Sequence, residues 1–383
     1  MVMITEPMGQ GAGMSKIIVP ETQGADIKTD VDEELRRIVE NIKTSIKIIG
    51  TGGAGNNTLN RLLNMGIHSG EIVAINTDAQ DLLYTRADKK VLIGLKTTRG
   101  IGAGNNPEIG EKCAKEDVDK IVNALEGADM VFITCGLGGG TGTGSAHVIA
   151  EMAQDAGALT VGVVSLPFAV EGRVRAANAL MGLKKLQQYA DTVILIPNDK
   201  LMHLVPKLSL NDAFKVSDEV LANAVKGITE MVTREGLINL DFADLNAILR
   251  KGGTALIGLG HSSTGASADD RAAESVEKAL RSPLLDTDVS DATSALVNIV
   301  GGKDMTLEEA QSIVKKVSES IDPNAQIIWG AQVDEEIDSN LIKTLLVIAG
   351  VKSPSFLAEL RERAAEKGTG ADILDDLDVA WIK

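Results

Sequence analysis

The sequence predicts an α/β fold in two parts, a Rossmann-type domain joined by a long central helix to a smaller α/β domain. Three observations carry that expectation. Short runs of Val, Ile and Leu alternate with helix-forming stretches along most of the chain. Three glycine-rich loops fall where such a strand hands over to a helix. Residues 211–234 then repeat apolar side chains at the helical period, and the composition changes at Gly252-Gly253 before a second run of strands and helices.

A chain of 383 residues has room for two or three cores. With 54 Asp and Glu against 38 Lys and Arg, the net charge is −16. That argues against a duplex nucleic-acid partner, which demands a basic face, and an anionic membrane surface would repel the chain. No apolar run reaches the roughly 18 residues of a membrane span, so no direct membrane insertion is expected. The N-terminus lacks the basic-then-apolar order of a secretory signal. Cys113 and Cys135 are the only cysteines, and His68, His147, His203 and His261 lie scattered. Neither a disulfide framework nor a transition-metal site is expected, and the expected compartment is the cytoplasm. Aromatic residues make up 2% of the chain, so platforms for stacking a base are scarce.

Residues 1–45 read as an N-terminal extension, disordered at first and then a charged helix with Leu35, Ile38 and Ile42 along one stripe. Ile46 to Ile49 reads as a strand. Gly50, Gly52 and Gly55 follow it at GxGxxG spacing, ahead of a helix through Leu63. The next strand, Ile72 to Asn76, is followed by Asp78, a little over twenty residues beyond the glycines. Those are the marks of a dinucleotide site; the other reading is glycines required for close helix–strand packing. Thr98 to Pro107 forms a further glycine loop, closing on Asn106-Pro107 as N-cap and first residue of a helix through Leu125.

The strand Met130 to Thr134 runs into Gly136 and the segment Gly138 to Gly144, ahead of a helix from Ser145. Glycines admit close backbone approach and a helix start offers unpaired N–H groups, a combination that binds phosphate. Five glycines in seven residues lose more chain entropy than a turn alone justifies. In an open parallel sheet these loops share the carboxyl edge, where together they could surround a triphosphate.

Thr160 to Ser165 is another strand, followed by Pro167 to Arg175 and a helix to about Tyr189. Glu171 and Arg175 are then one helical turn apart, either an exposed ion pair or a ribose or phosphate contact. Val193 to Ile196 ends at Asn198-Asp199, read from spacing as turn residues. On the long helix Phe214, Leu221, Val225, Ile228 and Val232 follow the helical period. Phe214 and Asp218 stand one turn apart near its start and could stack and hydrogen-bond one base. Guanine suits the carboxylate, because its N1–H and N2 amine both donate. Asp241 reads as an N-cap and Asp244 as a first-turn acid of the next helix, in a loop that can also present both outward.

Beyond Gly253, strands are expected at 255–258, 295–300, 327–329 and 345–348, with helices at 269–280 and 306–321. A Thr306/Glu309 capping box opens the second helix. No nucleophile–base pair appears there, which suits a support or interaction domain. A charged helix to Lys367 and an acidic tail ending in Trp381-Ile382 complete the chain, the tail being a docking peptide or a frayed end.

Together these residues resemble the FtsZ family, the prokaryotic tubulin-like cell-division GTPases, over roughly residues 46–350. Gly138 to Gly144 is similar to the family's signature loop and lacks the GK[ST] of a Walker A loop. The likeness also rests on Gly52 to Asn57, Asn76 to Gln80, Gly102 to Pro107, Pro167-Phe168 with Glu171 and Arg175, Asn198 to Leu201, and Asn239 to Asp244. It implies a tubulin/FtsZ-like fold with a GTP-binding domain at 46–210, the central helix at 211–234, and a catalytic loop and following helix at 235–252. A C-terminal α/β domain at 253–352 and a helix with acidic tail at 353–383 would follow.

The resemblance implies GTP or GDP contacts from Gly52, Gly53, Ala54, Asn56, Asn57, Asn76, Asp78, Ala103, Gly104 and Asn105. It implies further contacts from Gly136, Gly138, Gly139, Gly140, Thr141, Gly142, Thr143 and Gly144. Glu171 and Arg175 would lie on the ribose and γ-phosphate side, with Asn198, Phe214 and Asp218 around guanine. Asn239, Asp241 and Asp244 would be catalytic on the nucleotide of the next subunit in a head-to-tail homopolymer. Mg²⁺ would be held mainly through phosphates, with no protein metal site. The tail would meet division-site adaptor or regulator proteins at mid-cell. Cys135, His147 and Asn105 stand where smaller residues or proline are expected, and the general look is archaeal. Two other readings remain: an NAD-dependent Rossmann oxidoreductase built on Gly50, Gly52, Gly55 and Asp78, and a tubulin-like scaffold without hydrolysis. The first leaves two glycine loops unexplained; intact Asn239, Asp241 and Asp244 speak against the second.

Overall fold

The computed structural model describes residues 44–365, apart from His68, 205–208, Glu235, Asn239, Lys251, 264–267, 286–287, Glu336, Ser339 and 352–353. The expected N-terminal helix, the acidic tail and Asn239 lie outside the described residues. The chain opens with β1 (Ile46–Thr51), α1 (Gly52–Asn64), β2 (Glu71–Asn76), α2 (Ala79–Tyr84), β3 (Lys89–Leu92) and α3 (Leu95–Thr98). Next come α4 (Pro107–Glu116), α5 (Val118–Leu125), β4 (Met130–Gly136), α6 (Thr141–Asp155), β5 (Leu159–Leu166) and α7 (Arg173–Tyr189). Then follow β6 (Thr192–Pro197), α8 (Asn198–Leu204), α9 (Leu210–Thr233), α10 (Phe242–Leu249) and β7 (Gly253–His261). The last elements are α11 (Ala268–Leu280), β8 (Ser294–Gly301), α12 (Leu307–Ser318), β9 (Gln326–Val333), β10 (Ile342–Ala349) and α13 (Ser355–Ala365).

Ten strands make one sheet in the order β3-β2-β1-β4-β5-β6-β7-β10-β8-β9. From β3 to β7 every pairing is parallel; β10 runs antiparallel to both β7 and β8, and β9 is parallel to β8. Every residue of β1, β5 and β6 is buried, because helices seal both faces of a parallel sheet. One core holds Ile121, Ile149, Leu183, Val276, Ile313 and Phe356 from α5, α6, α7, α11, α12 and α13. The other holds Leu59, Leu62, Leu221, Val225, Ile228 and Leu249 from α1, α9 and α10. The pairings Gly50 with Thr134, Gly136 with Ser165, and Leu166 with Pro197 bring the carboxyl ends of β1, β4, β5 and β6 to one edge. Among the described residues no helix is long and apolar enough to cross a membrane.

The expected helix from Pro107 to Leu125 is instead two. Asp117 leaves the helical conformation (φ −121°, ψ 35°) while its carboxylate accepts the Gly94 N–H at 2.7 Å and pairs with Lys120 at 2.7 Å. That contact reaches a distant segment and outweighs one more helical hydrogen bond. The short elements β3, α2 and α3 lie between stretches whose pattern announces them, and their own patterns are too brief to do so.

Candidate functional site

The cradle begins where β1 passes straight into α1. Thr51 is extended and Gly52 takes φ +70°, a conformation that only glycine adopts freely. A side chain at Gly52 would meet the Gly142 nitrogen at 2.8 Å, so the first and densest glycine segments touch through backbone. Gly50 and Gly55 do different work. A side chain at Gly55 would collide with the Thr134 carbonyl, so this glycine allows α1 to press on β4. The packing reading of GxGxxG therefore holds for part of the motif.

The dense segment divides its labour in the same way. Gly144 lies against the Pro107 carbonyl and lets α6 close on α4. At Gly53, Gly104 and Gly139, by contrast, a side chain would meet nothing within 4 Å. These three positions, one in each glycine loop, expose backbone to a common open edge. Hydroxyls stitch the loops together: Thr77 Oγ1 and Thr141 Oγ1 are 2.6 Å apart, as are Thr51 Oγ1 and Ser145 Oγ. Thr143 is buried and its Oγ1 accepts the Gly138 N–H at 2.8 Å, so it closes the loop from within.

Asn76 Oδ1 accepts the Thr77 N–H at 2.8 Å, and its Nδ2 donates to Asp81 at 2.6 Å. Asn56 Nδ2 donates to the same carboxylate at 3.2 Å, leaving the buried Asn56 Oδ1 without a protein partner. Asp78 caps α2, accepting the Gln80 and Asp81 N–H groups at 2.9 and 3.1 Å. In this chain the acid at the dinucleotide position is a helix cap. Ala103 is buried, whereas Asn57 and Asn105 are exposed and Ala54 and Gly136 half-buried. Asn105 takes the left-handed conformation (φ 61°) that asparagine tolerates in a tight loop.

Behind the cradle one carboxylate joins three helices. Glu111 of α4 accepts from Lys185 of α7 at 2.5 Å and Lys115 at 2.7 Å, and lies 3.5 Å from His147 Nε2 of α6. Burial alone would raise the Glu111 carboxyl, but hydrogen bonds from Lys115 and Lys185 and the neighbouring His147 hold it down at about 2. Burial pushes His147 below its usual range, with Glu111 opposing. Nothing in the local sequence spacing announces this cluster, because its members come from three helices.

The opposite flank is built on β5 and β6. Asn198 and Asp199, expected as turn residues, begin α8. Asn198 is buried and its Oδ1 accepts from Ser217 Oγ at 2.7 Å; Asp199 accepts the Ala169 N–H at 2.8 Å. Turns do not need such partners, but a loop fixed against α9 does. Glu171 does not share a helix with Arg175. It ends a 3-10 turn (Ala169–Glu171), and Gly172 at φ +88° separates it from α7. The two side chains nevertheless bond directly, and Glu171 Oε1 also accepts the Phe168 N–H at 2.8 Å.

Phe168 meets Phe214 edge-to-face, with ring centroids 5.0 Å apart at 89°. Phe214 remains 37% exposed, so a ring in a chain poor in aromatics stands open at this edge. Spacing does not mark Phe168 as a partner of Phe214; in the sequence it stands out only through the Pro167-Phe168 pair of the family resemblance. One turn along α9, burial pushes the Asp218 carboxyl up to about 7, with Arg61 opposing.

Asp241 and Asp244 are not part of this gathering. Asp241 caps α10, its Oδ1 accepting the Asp244 N–H at 2.7 Å, and both side chains are exposed. The carbonyl of Leu249, at the far end of α10, accepts from Thr192 Oγ1 at 2.5 Å. Thr192 opens β6 at the amino edge, whereas Asn198 follows its carboxyl end. The 24-residue α9, about 36 Å long at 1.5 Å per residue, covers the distance between the two ends. Among the described residues no hydrogen bond joins either aspartate to the glycine loops.

Comparison with known proteins identifies the family. Residues 45–206 match the model of the Tubulin/FtsZ family, GTPase domain, and residues 253–352 that of the FtsZ family, C-terminal domain. The cell division protein FtsZ 1 of Archaeoglobus fulgidus is 55% identical over 328 residues, covering 86% of this chain and 88% of that protein. The structure superposes on an FtsZ dimer, empty, from M. jannaschii with a TM-score of 0.80 and 55% identity, over 85% of this chain and 93% of that one. It also matches a GTPγS-bound protofilament of CetZ2 from Haloferax volcanii, with a TM-score of 0.72 and 26% identity, over 88% of this chain and all of that one. The oxidoreductase reading is thereby set aside, as Asp78 already suggested. Two family models, a relative more than half identical over most of both lengths, and three open loops at one sheet edge agree: the chain belongs to the FtsZ family, with its tubulin-type GTPase domain and its C-terminal domain.

Proposed function

We propose that this chain hydrolyses GTP at a site shared by two subunits and assembles head-to-tail into filaments of the cell-division ring. Family membership makes it a GTPase that polymerises in cell division. The observation that carries the shared site is the separation within one chain of open glycine loops from the Asp241/Asp244 pair. A second copy stacked along that direction would bring its aspartates over the first copy's loops. The dimer and the GTPγS-bound protofilament described above are arrangements of relatives that support the same reading.

The chemistry asked of the protein is positioning and charge stabilisation more than covalent catalysis. Backbone N–H groups at Gly53, Gly104 and Gly139, with the starts of α1 and α6, would receive the phosphates. Asn198, Phe214 and Asp218 would take guanine, with Glu171 and Arg175 on the ribose and γ-phosphate side. Asp241 and Asp244 of the neighbouring subunit would orient and polarise the attacking water, with Asn239 placing their loop. Mg²⁺, held mainly by phosphate oxygens, would neutralise charge; among the described residues no group of three or more His, Cys, Asp or Glu offers a protein cage. Loss of the γ-phosphate then removes a contact that orders the junction, so filaments turn over. Such an interface does not close on itself and extends without fixed length. The same reading places the protein in the cytoplasm at mid-cell, with adaptor or regulator proteins meeting the acidic tail that ends in Trp381-Ile382.

The test is GTP hydrolysis per subunit against protein concentration. Negligible specific activity in dilute protein, rising through a threshold, is expected. A specific activity constant from dilute to concentrated protein would mean a complete site in one chain and would overturn the proposal.

A further inference from the structure

The C-terminal helix α13 is clasped to the base-side flank of the site. Its Phe356 and Leu360 are buried against Leu166, Pro167 and Pro197, around a space of only about 10 Å³. At its far end Arg363 pairs with Asp199 Oδ2 at 2.6 Å, while Asp199 Oδ1 accepts the Ala169 N–H at 2.8 Å. One carboxylate therefore holds α13 with one oxygen and the Phe168-to-Glu171 turn with the other. Asp199 also adjoins Asn198, whose side chain is locked to α9 through Ser217. A second pair, Lys200 with Glu359 at 3.4 Å, ties the same two helices.

We infer that Asp199 and Arg363 are positioning residues that set how long the guanine nucleotide stays bound. The inference rests on the base site proposed above. The Asp199 carboxylate fixes the turn that carries Phe168 and Glu171, and Arg363 fixes the carboxylate. Without the guanidinium, Asp199 is free to swing toward water, and the turn loses its hydrogen-bonded anchor. Neither residue touches the reacting atoms, so the effect falls on nucleotide release and KM, and kcat at saturation stays near that of the parent.

The experiment uses the full chain below its assembly threshold, loaded with a fluorescent N-methylanthraniloyl-GDP and chased with excess GDP, beside steady-state GTP hydrolysis measured above that threshold. Arg363→Ala should release the label roughly three- to tenfold faster and raise KM in step, the scale of a half-buried charged hydrogen bond. Asp199→Asn, which keeps the acceptor for Ala169 but loses the charge, should shift release in the same direction. Arg363→Lys should restore most of the parent rate, and the exposed Glu362→Ala should leave it unchanged. Unaltered release in both Arg363→Ala and Asp199→Asn, with only a lower Tm, would overturn the inference and leave the clasp a purely structural tie. Should Arg363→Ala not fold, Asp199→Asn and Arg363→Lys decide the matter. Failure of the parent chain to bind the labelled GDP would overturn the base-site reading along with this one.

Discussion

At the scale of single residues, Asp218 shows how a position in the fold sets chemistry. Burial pushes its carboxyl up to about 7, against the pull of Arg61. The folded-state value lies above the ordinary 3.8, so the stability this group contributes is fully present below that ordinary value and is lost as pH rises through about 7. In the proposed base site guanine's paired donors need the ionised form, so binding below neutrality would release a proton. Guanine-nucleotide affinity should therefore fall with pH below 7, by at most about tenfold per unit, and Asp218→Asn should flatten the dependence. Fluorescence titrations from about pH 6 to about pH 8 check this; an unchanged slope in Asp218→Asn would remove Asp218 from the base site. Two glycines separate fold from site in the same manner. Gly144→Ala would drive a methyl into the Pro107 carbonyl and should cost about 1–3 kcal/mol in denaturant unfolding. Gly139→Ala meets nothing within 4 Å and should keep stability within about 0.5 kcal/mol while weakening nucleotide binding.

At the scale of elements, the start of α12 illustrates what is legible locally. Thr306 Oγ1 accepts the Glu309 N–H at 3.2 Å and Glu309 returns a bond to the Thr306 N–H at 2.8 Å, the capping box that spacing announces. Spacing does not announce that Glu309 also receives the buried Arg271 of α11, at 2.5 and 2.9 Å. Burial would raise the Glu309 carboxyl, but the bonds from Arg271 and Thr306 hold it below its usual range. Its contribution is thus present above the ordinary carboxylate value and is lost as pH falls through the lowered one. Thr306→Ala should cost about 1 kcal/mol, and Glu309→Gln about 2 kcal/mol, because the buried Arg271 keeps Asp304 at 2.6 Å but loses the charge of its second carboxylate partner. Equal losses in urea unfolding would show the ion pair adds nothing beyond the cap. The same division runs through the molecule. Strands, the Asn106 cap and the glycine loops are written in neighbouring residues. The break at Asp117, the Glu111 cluster and the two-sided grip of Asp199 depend on partners tens of residues away, and no local period encodes them.

At the scale of the whole molecule, the sheet has two ends with unlike chemistry, open glycine loops at one and capped aspartates toward the other. Spacing alone marks Asp241 as the N-cap and Asp244 as a first-turn acid of α10, and both stand so; the second role proposed for them depends on a neighbour that a single chain does not contain. Asp244→Ala should accordingly bind GTP as tightly as the parent yet hydrolyse none of it, because in the proposed arrangement the lost carboxylate serves the adjacent subunit's nucleotide. Equal loss of binding and turnover would place the residue in its own chain's site. The decisive form of the test mixes this variant with Thr141→Arg. Thr141 sits between the loops, its hydroxyl 2.6 Å from Thr77, so an arginine there fills the cradle and excludes nucleotide. Neither variant alone should turn over GTP. In an equimolar mixture about a quarter of random head-to-tail contacts set an intact aspartate loop over an intact cradle. Hydrolysis should return toward that fraction of the parent rate and vanish again on dilution. A mixture that forms sedimenting copolymer but stays inactive would mean that cradle and aspartates must belong to one chain.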